Sequence, residues 1–398
     1  MAARSDINPA VYRLAGAHFV SDAYSNLYAP LLPALIPRLG LSLAAAGTLA
    51  MLFQLSASVS QLGFGHVADR WRPRLLMVAG PFVSVALLSL IGVAWSPAVL
   101  GVVLVAGGLG GAAFHPAAAA LVHRLGGRRR GLAMSIHITG GSIGYSLAPV
   151  LFAPFVGTFG LSWTPLLALP GLLILAAILA RAPAVSPFGA GPSGGFSDLR
   201  PYAKPLTLLY LIVVLRTMTS LSLATFVPVL LTRQGWSVGM AGAAVSIYLF
   251  AASMGGFTGG PLADRFGSKR VIAASMVLAT PLLVAATRTE GWPLVILLAA
   301  GGFFLQSTLP VNVTFAHQVA PVSAATVSSL MMGFAWGTGG LTAPLVGSMA
   351  DRLGIEPTLT AIAFLPLLAS LCAVPLPGGV PCETASHLDA EIRPSLER

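Results

Sequence analysis

Charge is what this sequence lacks. Asp, Glu, Lys and Arg make up 9% of its 398 residues, against about a quarter in an ordinary soluble domain. Acids are the scarcer sign, with 12 Asp and Glu in all. A fold with so few charges would have almost no solvated exterior, which argues against a water-soluble domain. Cysteine is down to two, Cys372 and Cys382, with no metal-ligand spacing and no expected disulfide. A nucleotide P-loop, an H-E-x-x-H helix and a Ser or Cys nucleophile motif are all missing. ATP-driven pumping and intramembrane proteolysis therefore have nothing to rest on. No enzyme activity, no cofactor and no metal site are expected.

What is there is apolar. AVILMFWYC accounts for 56% of the chain, and mean hydropathy is +0.85. Hydrocarbon as the solvent reconciles these values with folding, since a spanning helix needs about 20 mainly apolar residues. The 44 Gly and 30 Pro suit closely packed membrane helices, which use small residues and tolerate proline.

The net charge of +10 and pI near 10.4 would suit a nucleic-acid binder, but the positions of the charges exclude that reading. Arg38, Arg233, Arg288 and Arg352 lie in one set of loops and Arg216 lies inside a span. Every other Lys and Arg falls in the termini or the opposite loops. This is the positive-inside pattern, and it places both termini in the cytoplasm. A bacterial inner-membrane, multi-pass protein is expected, in contact with the lipid bilayer and not with nucleic acid.

Apolar runs fall at about 11–36, 43–66, 75–94, 97–121, 130–155 and 162–181, then at 205–232, 237–261, 270–287, 292–316, 323–348 and 357–376. The first run is too long for a signal peptide and reads as span one. The predicted fold is all-α, with twelve transmembrane helices in two six-helix bundles, 1–181 and 205–376. A Pro-, Gly- and Ser-rich cytoplasmic linker occupies 182–204, and a polar tail occupies 377–398.

The two bundles repeat. At an offset of 195 residues Pro33 matches Pro228, Ser42 matches Ser237, and Gly47 matches Gly242. Ala68-Asp69-Arg70 likewise matches Ala263-Asp264-Arg265, and Ala148-Pro149 matches Ala343-Pro344. An ungapped register of this length predicts two parallel halves about a central cavity, as in secondary transporters.

Few ionisable residues lie deep in a span, and such residues are functional candidates because isolated charge there is costly. Asp22 is the one carboxylate near mid-membrane. With His18 and Asn26 it forms a polar stripe at four-residue spacing on one helix face. Desolvation and a neighbouring imidazolium act on its proton affinity in opposite senses, so the pair can exchange a proton; a purely structural Asp–His bond is the alternative. Arg216 is the one cation at similar depth, beside the repeat equivalent of Asp22. It keeps its charge, so it either holds Asp22 across the cavity or receives an acidic group of a substrate. His115, followed by Pro116, is assigned with Asp22 and His18 to proton coupling. Tyr24, Asn26, Phe114, His137, Gln306, Asn312 and Trp336 join Arg216 as candidate substrate contacts.

Two loops, Gly65-His-Val-Ala-Asp69-Arg70 and Gly260-Pro-Leu-Ala-Asp264-Arg265, resemble the G-x-L-A-D-R signature of the major facilitator superfamily. The resemblance implies a cytoplasmic latch built on Gly65, Asp69, Arg70, Gly260, Asp264 and Arg265. Gly131, Gly140, Gly141, Gly144 and Pro149 partly resemble an antiporter motif of that superfamily. A third Ala-Asp-Arg, at Asp351-Arg352, falls on the opposite side and is read as coincidence. His18-Phe-Val-Ser-Asp22-Ala-Tyr24, Ala113-Phe-His115-Pro, Gly131-Leu-Ala-Met-Ser and Leu215-Arg216 are similar to the fosmidomycin-resistance branch. What that implies is a proton-driven exporter of a small, drug-like and in one version anionic compound, working as a monomer. A symporter importing a metabolite is the nearest rival. A receptor without transport is the more distant one, and the Asp/His stripe and doubled latch argue against it.

Overall fold

The protein is described by a computed structural model, which covers residues 7–182, 196–320 and 327–377. Among the described residues every regular element is a helix. Ten helices are long and apolar enough to cross a bilayer. The other two spans, the first and the eleventh, are each broken near the middle. Together they make the twelve predicted spans.

Span 1 is Pro9–Ser25 followed by Tyr28–Leu39, interrupted at Asn26. Span 2 comprises Leu43–Ser58 and Ser60–Arg70, and spans 3 to 5 are Pro73–Leu88, Pro97–Leu125 and Arg130–Phe159. A 3-10 turn, Leu161–Leu167, leads into span 6 at Ala168–Leu179. Spans 7 to 10 are Ala203–Arg233, Val238–Phe266, Ser268–Thr287 and Gly291–Val319. Span 11 has a π turn at Ser329–Phe334, then Ala335–Gly340 and Ala343–Leu353. Span 12 is Ile355–Ile362 and Leu365–Ala373.

The repeat has a local cause where helices begin. Ser42 opens span 2 by accepting from Ala45 N at 3.0 Å, and its repeat partner Ser237 opens span 8 by accepting from Met240 N at 3.2 Å. A serine N-cap of this kind satisfies one of the free donors of the first turn. Of the expected linker, 183–195 lies outside the described residues. Phe196–Tyr202 is already a 3-10 helix and Ala203 starts span 7, so regular structure begins earlier than composition suggested. The expected tail from 378 onward also lies outside the described residues.

The outer surface is apolar. Phe257, Ile296 and Leu345 are 70%, 66% and 66% exposed, an arrangement that suits a hydrocarbon surround. Trp95, Trp163 and Trp292 are exposed near the ends of spans on the side away from the basic loops, and Trp71 near the basic loops, as an interfacial aromatic belt requires. The two halves meet along three seams: the second helix of span 1 against span 7, span 2 against span 11, and span 5 against span 8.

Candidate functional site

Span 5 comes very close to span 1 because glycines face it. A β-carbon at Gly140 or Gly144 would collide with the backbone of Ala15 or Phe19. Between them lies Gly141, where a β-carbon would strike the His18 imidazole and the Asp22 carboxylate. This one residue makes room for the His18–Asp22 pair inside the packed half.

Asp22 is held by two histidines. Its Oδ2 lies 3.2 Å from His18 Nε2, one turn back on span 1, and its Oδ1 lies 3.5 Å from His115 Nε2 on span 4. The His18 and His115 ring centroids are 5.0 Å apart, and His137 on span 5 stacks 4.3 Å from His18. His18 Nδ1 is 2.9 Å from the His137 carbonyl. A carbonyl only accepts, so Nδ1 carries the proton and Nε2 is the atom turned to Asp22. If His18 is neutral and Asp22 ionised, two acceptors face each other. A proton between them resolves the conflict, whichever partner holds it. The donor atoms of His18, Asp22 and His115 all lie within 4.8 Å of one another, compact enough to share one small cation. His115 and Asp22 keep 27% and 20% side-chain exposure.

Phe114 is fully buried, with its ring centroid 5.8 Å from that of His18 and 5.6 Å from that of His115. It therefore positions the histidines and lines no cavity. His137 is also buried, and its Nδ1 has no hydrogen-bond partner. Tyr24 departs from the sequence expectation. Its hydroxyl donates to the Leu167 carbonyl and its ring packs against Phe152 and Gly171, so it faces span 6 and not the cavity. Its place on span 1, two residues past Asp22, said nothing about which neighbour it would meet. Asn26 sits at the break in span 1 and donates to the Tyr145 carbonyl at 2.9 Å. With Ser25, Gln54, Tyr145 and Thr225 it lines a cavity of about 50 Å³ between the halves.

The second half holds the opposite charge at matching depth. Arg216 is 1% exposed and is not paired with Asp22. Its guanidinium donates to Gln306 Oε1, and to Thr217 Oγ1 at 3.2 Å, while its Cζ lies 5.3 Å from the Trp336 ring centroid. Among the described residues no carboxylate neutralises it. Its Nε and both polar atoms of the Asn312 amide are buried without partners, which is costly unless a ligand or water completes them. Of the two roles open to Arg216, the charge pair with Asp22 across the cavity is absent in this state.

The predicted latch residues lie at the basic-face ends of spans 2 and 8, and among the described side chains none is bonded to the other half. Arg70 contacts His66 on its own helix, and Arg265 lies over the adjacent Phe266 ring at 5.2 Å. Asp264 is exposed, with no ion pair or hydrogen bond among the described residues. A β-carbon at Gly65 would meet only Pro116 of span 4, and at Gly260 nothing. The Asp69 side chain lies outside the described residues. Asp351 is the surprise. Its carboxylate accepts from Leu43 N and Ala44 N, each at 2.9 Å, so the aspartate of the third Ala-Asp-Arg has a defined structural role.

Comparison with known proteins agrees with this architecture. The profile of the Major Facilitator Superfamily matches residues 14–215 and again 208–381. The chain is 29% identical over 367 residues to the fosmidomycin resistance protein of Escherichia coli (strain K12), covering 89% of each. It is 28% identical over 368 residues to an uncharacterized MFS-type transporter, YfnC, of Bacillus subtilis (strain 168), again covering 89% of each. Among solved structures, a bacterial homologue of the lysosomal transporter Spinster superposes with a TM-score of 0.73 at 18% identity, covering 93% of this chain and 97% of that one. The nucleoside transporter NupG superposes with a TM-score of 0.74 at 15% identity, covering 93% and 99%.

Proposed function

The chain belongs to the Major Facilitator Superfamily and is a membrane transporter, not an enzyme. On that premise we propose that it is a proton-coupled antiporter that exports a small drug-like compound bearing an acidic group. It sits in the bacterial inner membrane with both termini in the cytoplasm and works as a monomer.

The observation that carries this reading is the carboxylate of Asp22 between His18 and His115, at 3.2 and 3.5 Å, one turn before Asn26, which lines the cavity between the halves. Asp22 and His18 hold the transported proton between Oδ2 and Nε2, and His115 takes or passes it at Oδ1. Loss of that proton leaves acceptor facing acceptor, so the packed arrangement of spans 1, 4 and 5 becomes unfavourable. Protonation state and conformation are thereby linked. Arg216, with Gln306 and Asn312, receives the acidic group of the substrate against the Trp336 ring. The two Gly-x-x-Ala-Asp-Arg loops form the cytoplasmic latch of the alternate state, in which that face is closed. The positive-inside distribution of Lys and Arg supports the orientation, and similarity to a resistance protein supports export.

The test is reconstitution in vesicles with an imposed proton gradient, a panel of acidic and neutral compounds, and a pH probe inside. Uphill movement of an acidic compound with opposite proton flow, without ATP and abolished by a protonophore, is expected. Movement that requires ATP and ignores the protonophore overturns the proposal.

A further inference from the structure

We propose that Asp351 is a gating residue. It clasps the protein shut on the face opposite the basic loops, and it must release span 2 for that face to open. The inference rests on the family's transport function alone, and not on direction, substrate or coupling ion.

The chemistry is that of a helix start. The first turn of an α-helix has backbone donors with no partner inside the helix. In span 2 the amides from Leu43 to Ala46 are all accounted for. Ala46 N bonds to the Ser42 carbonyl at 3.0 Å and Ala45 N to the Ser42 hydroxyl at 3.0 Å. Leu43 N and Ala44 N remain, and the two oxygens of Asp351 take one each at 2.9 Å. A carboxylate there also meets the positive end of the helix dipole. The acid comes from the last turn of Ala343–Leu353, in the other half of the molecule. The bond therefore spans the seam that must part in an alternating-access cycle.

Just beneath the clasp the two helices touch backbone to backbone. A β-carbon at Gly47 would collide with the Ala343 carbonyl, and one at Gly347 with the Leu43 carbonyl. This reciprocal pair lets the carboxylate reach the two amides. The clasp has no counterpart in the repeat: Asp351 corresponds to Val156, and the span 5–span 8 seam is held by hydroxyls instead. There Val150 N donates to Ser246 Oγ at 2.9 Å, and the Ser146 and Ser253 hydroxyls lie 3.0 Å apart. Asp351 itself is exposed, so water can replace it on the freed amides when the seam parts. A contact of that kind is strong enough to bias a two-state equilibrium and weak enough to be broken in every cycle.

The test uses the full-length protein in liposomes with Cys372 and Cys382 replaced by Ser. One pair of spin labels, at Trp95→Cys and Glu290→Cys, reports the clasped face. A second pair, at His123→Cys and Gln318→Cys, reports the basic face. Pulsed dipolar distances are compared with and without Asp351→Ala. The proposal expects the 95–290 distribution to gain a longer component, several-fold more populated than before, while the 123–318 distribution shortens. Gly347→Ala, which wedges the seam without touching the acid, is expected to shift both pairs in the same sense. Unchanged distances in a monodisperse, correctly inserted Asp351→Ala protein overturn the proposal. So does lengthening of both pairs together, which would show that Asp351 only holds the fold. None of these readouts involves substrate or a proton gradient, so their failure is distinct from failure of the antiport reading.

Discussion

His18 donates its Nδ1 proton to the His137 carbonyl at 2.9 Å and thereby turns its Nε2 toward Asp22 Oδ2 at 3.2 Å. The first bond settles the meaning of the second. With Nδ1 committed to the backbone, proton exchange on the ring is confined to the nitrogen facing the carboxylate. The imidazole is then a tuned partner of Asp22 and not a second independent site.

Replacement of His18 by Ala removes that partner but leaves His115 at Oδ1. Gradient-driven transport is expected to persist with its pH profile displaced by about one unit or more, the scale of one lost charge-assisted neighbour. The measurement is initial uptake rate against external pH in vesicles. An unchanged profile would show that His18 only packs span 1 against span 5.

Gly141→Ala introduces a methyl group where His18 and Asp22 now meet. The helices cannot back away without parting the Gly140 and Gly144 contacts, so the pair is expected to separate. Transport falls by about tenfold or more, on the scale of ~1–3 kcal/mol for an overpacked site, while membrane insertion and monodispersity are kept. Gly131→Ala, at an open position of the same span, serves as the control and is expected to transport normally.

Arg216→Gln leaves the proton site intact and removes the buried cation. Affinity for acidic compounds is expected to drop by about 10- to 100-fold, the scale of a lost hydrogen bond to a charged group. Binding of neutral analogues should change little. Arg216→Lys is expected to recover little of the loss, because a point charge cannot reproduce the planar fork now divided between Gln306 and Thr217. Equal losses for acidic and neutral ligands would make Arg216 a structural residue.

The fold was legible in the sequence for a physical reason. Hydrocarbon admits few solutions, and twelve apolar runs with basic loops on alternate sides leave nearly one. The His18–Asp22 pair was legible too, because both residues sit on one helix face. What crossed between helices was not. Tyr24 lies on the same span as the site yet turns to Leu167, and nothing in its spacing could tell which neighbour it would meet. Gly141 stood out only as part of a motif resemblance, and the fold alone shows that it leaves the space in which His18 and Asp22 meet. Asp351 lies 308 residues from Leu43, and only the folded arrangement of spans 2 and 11 brings them together. A doubled Ala-Asp-Arg motif drew attention to the basic face, where Asp264 has no partner among the described residues. The third copy does the clasping in this state.

The most direct test of the coupling claim is Asp22→Asn in reconstituted vesicles, with proton-driven accumulation and substrate exchange at equal concentrations measured on the same preparation. Asn keeps the shape and some hydrogen bonds of the carboxylate but cannot carry a proton. The account predicts that accumulation is abolished and becomes independent of pH while exchange of substrate continues. Asp22→Asn protein that still concentrates substrate against its gradient, with the pH dependence of the native protein, would contradict it and move coupling away from Asp22.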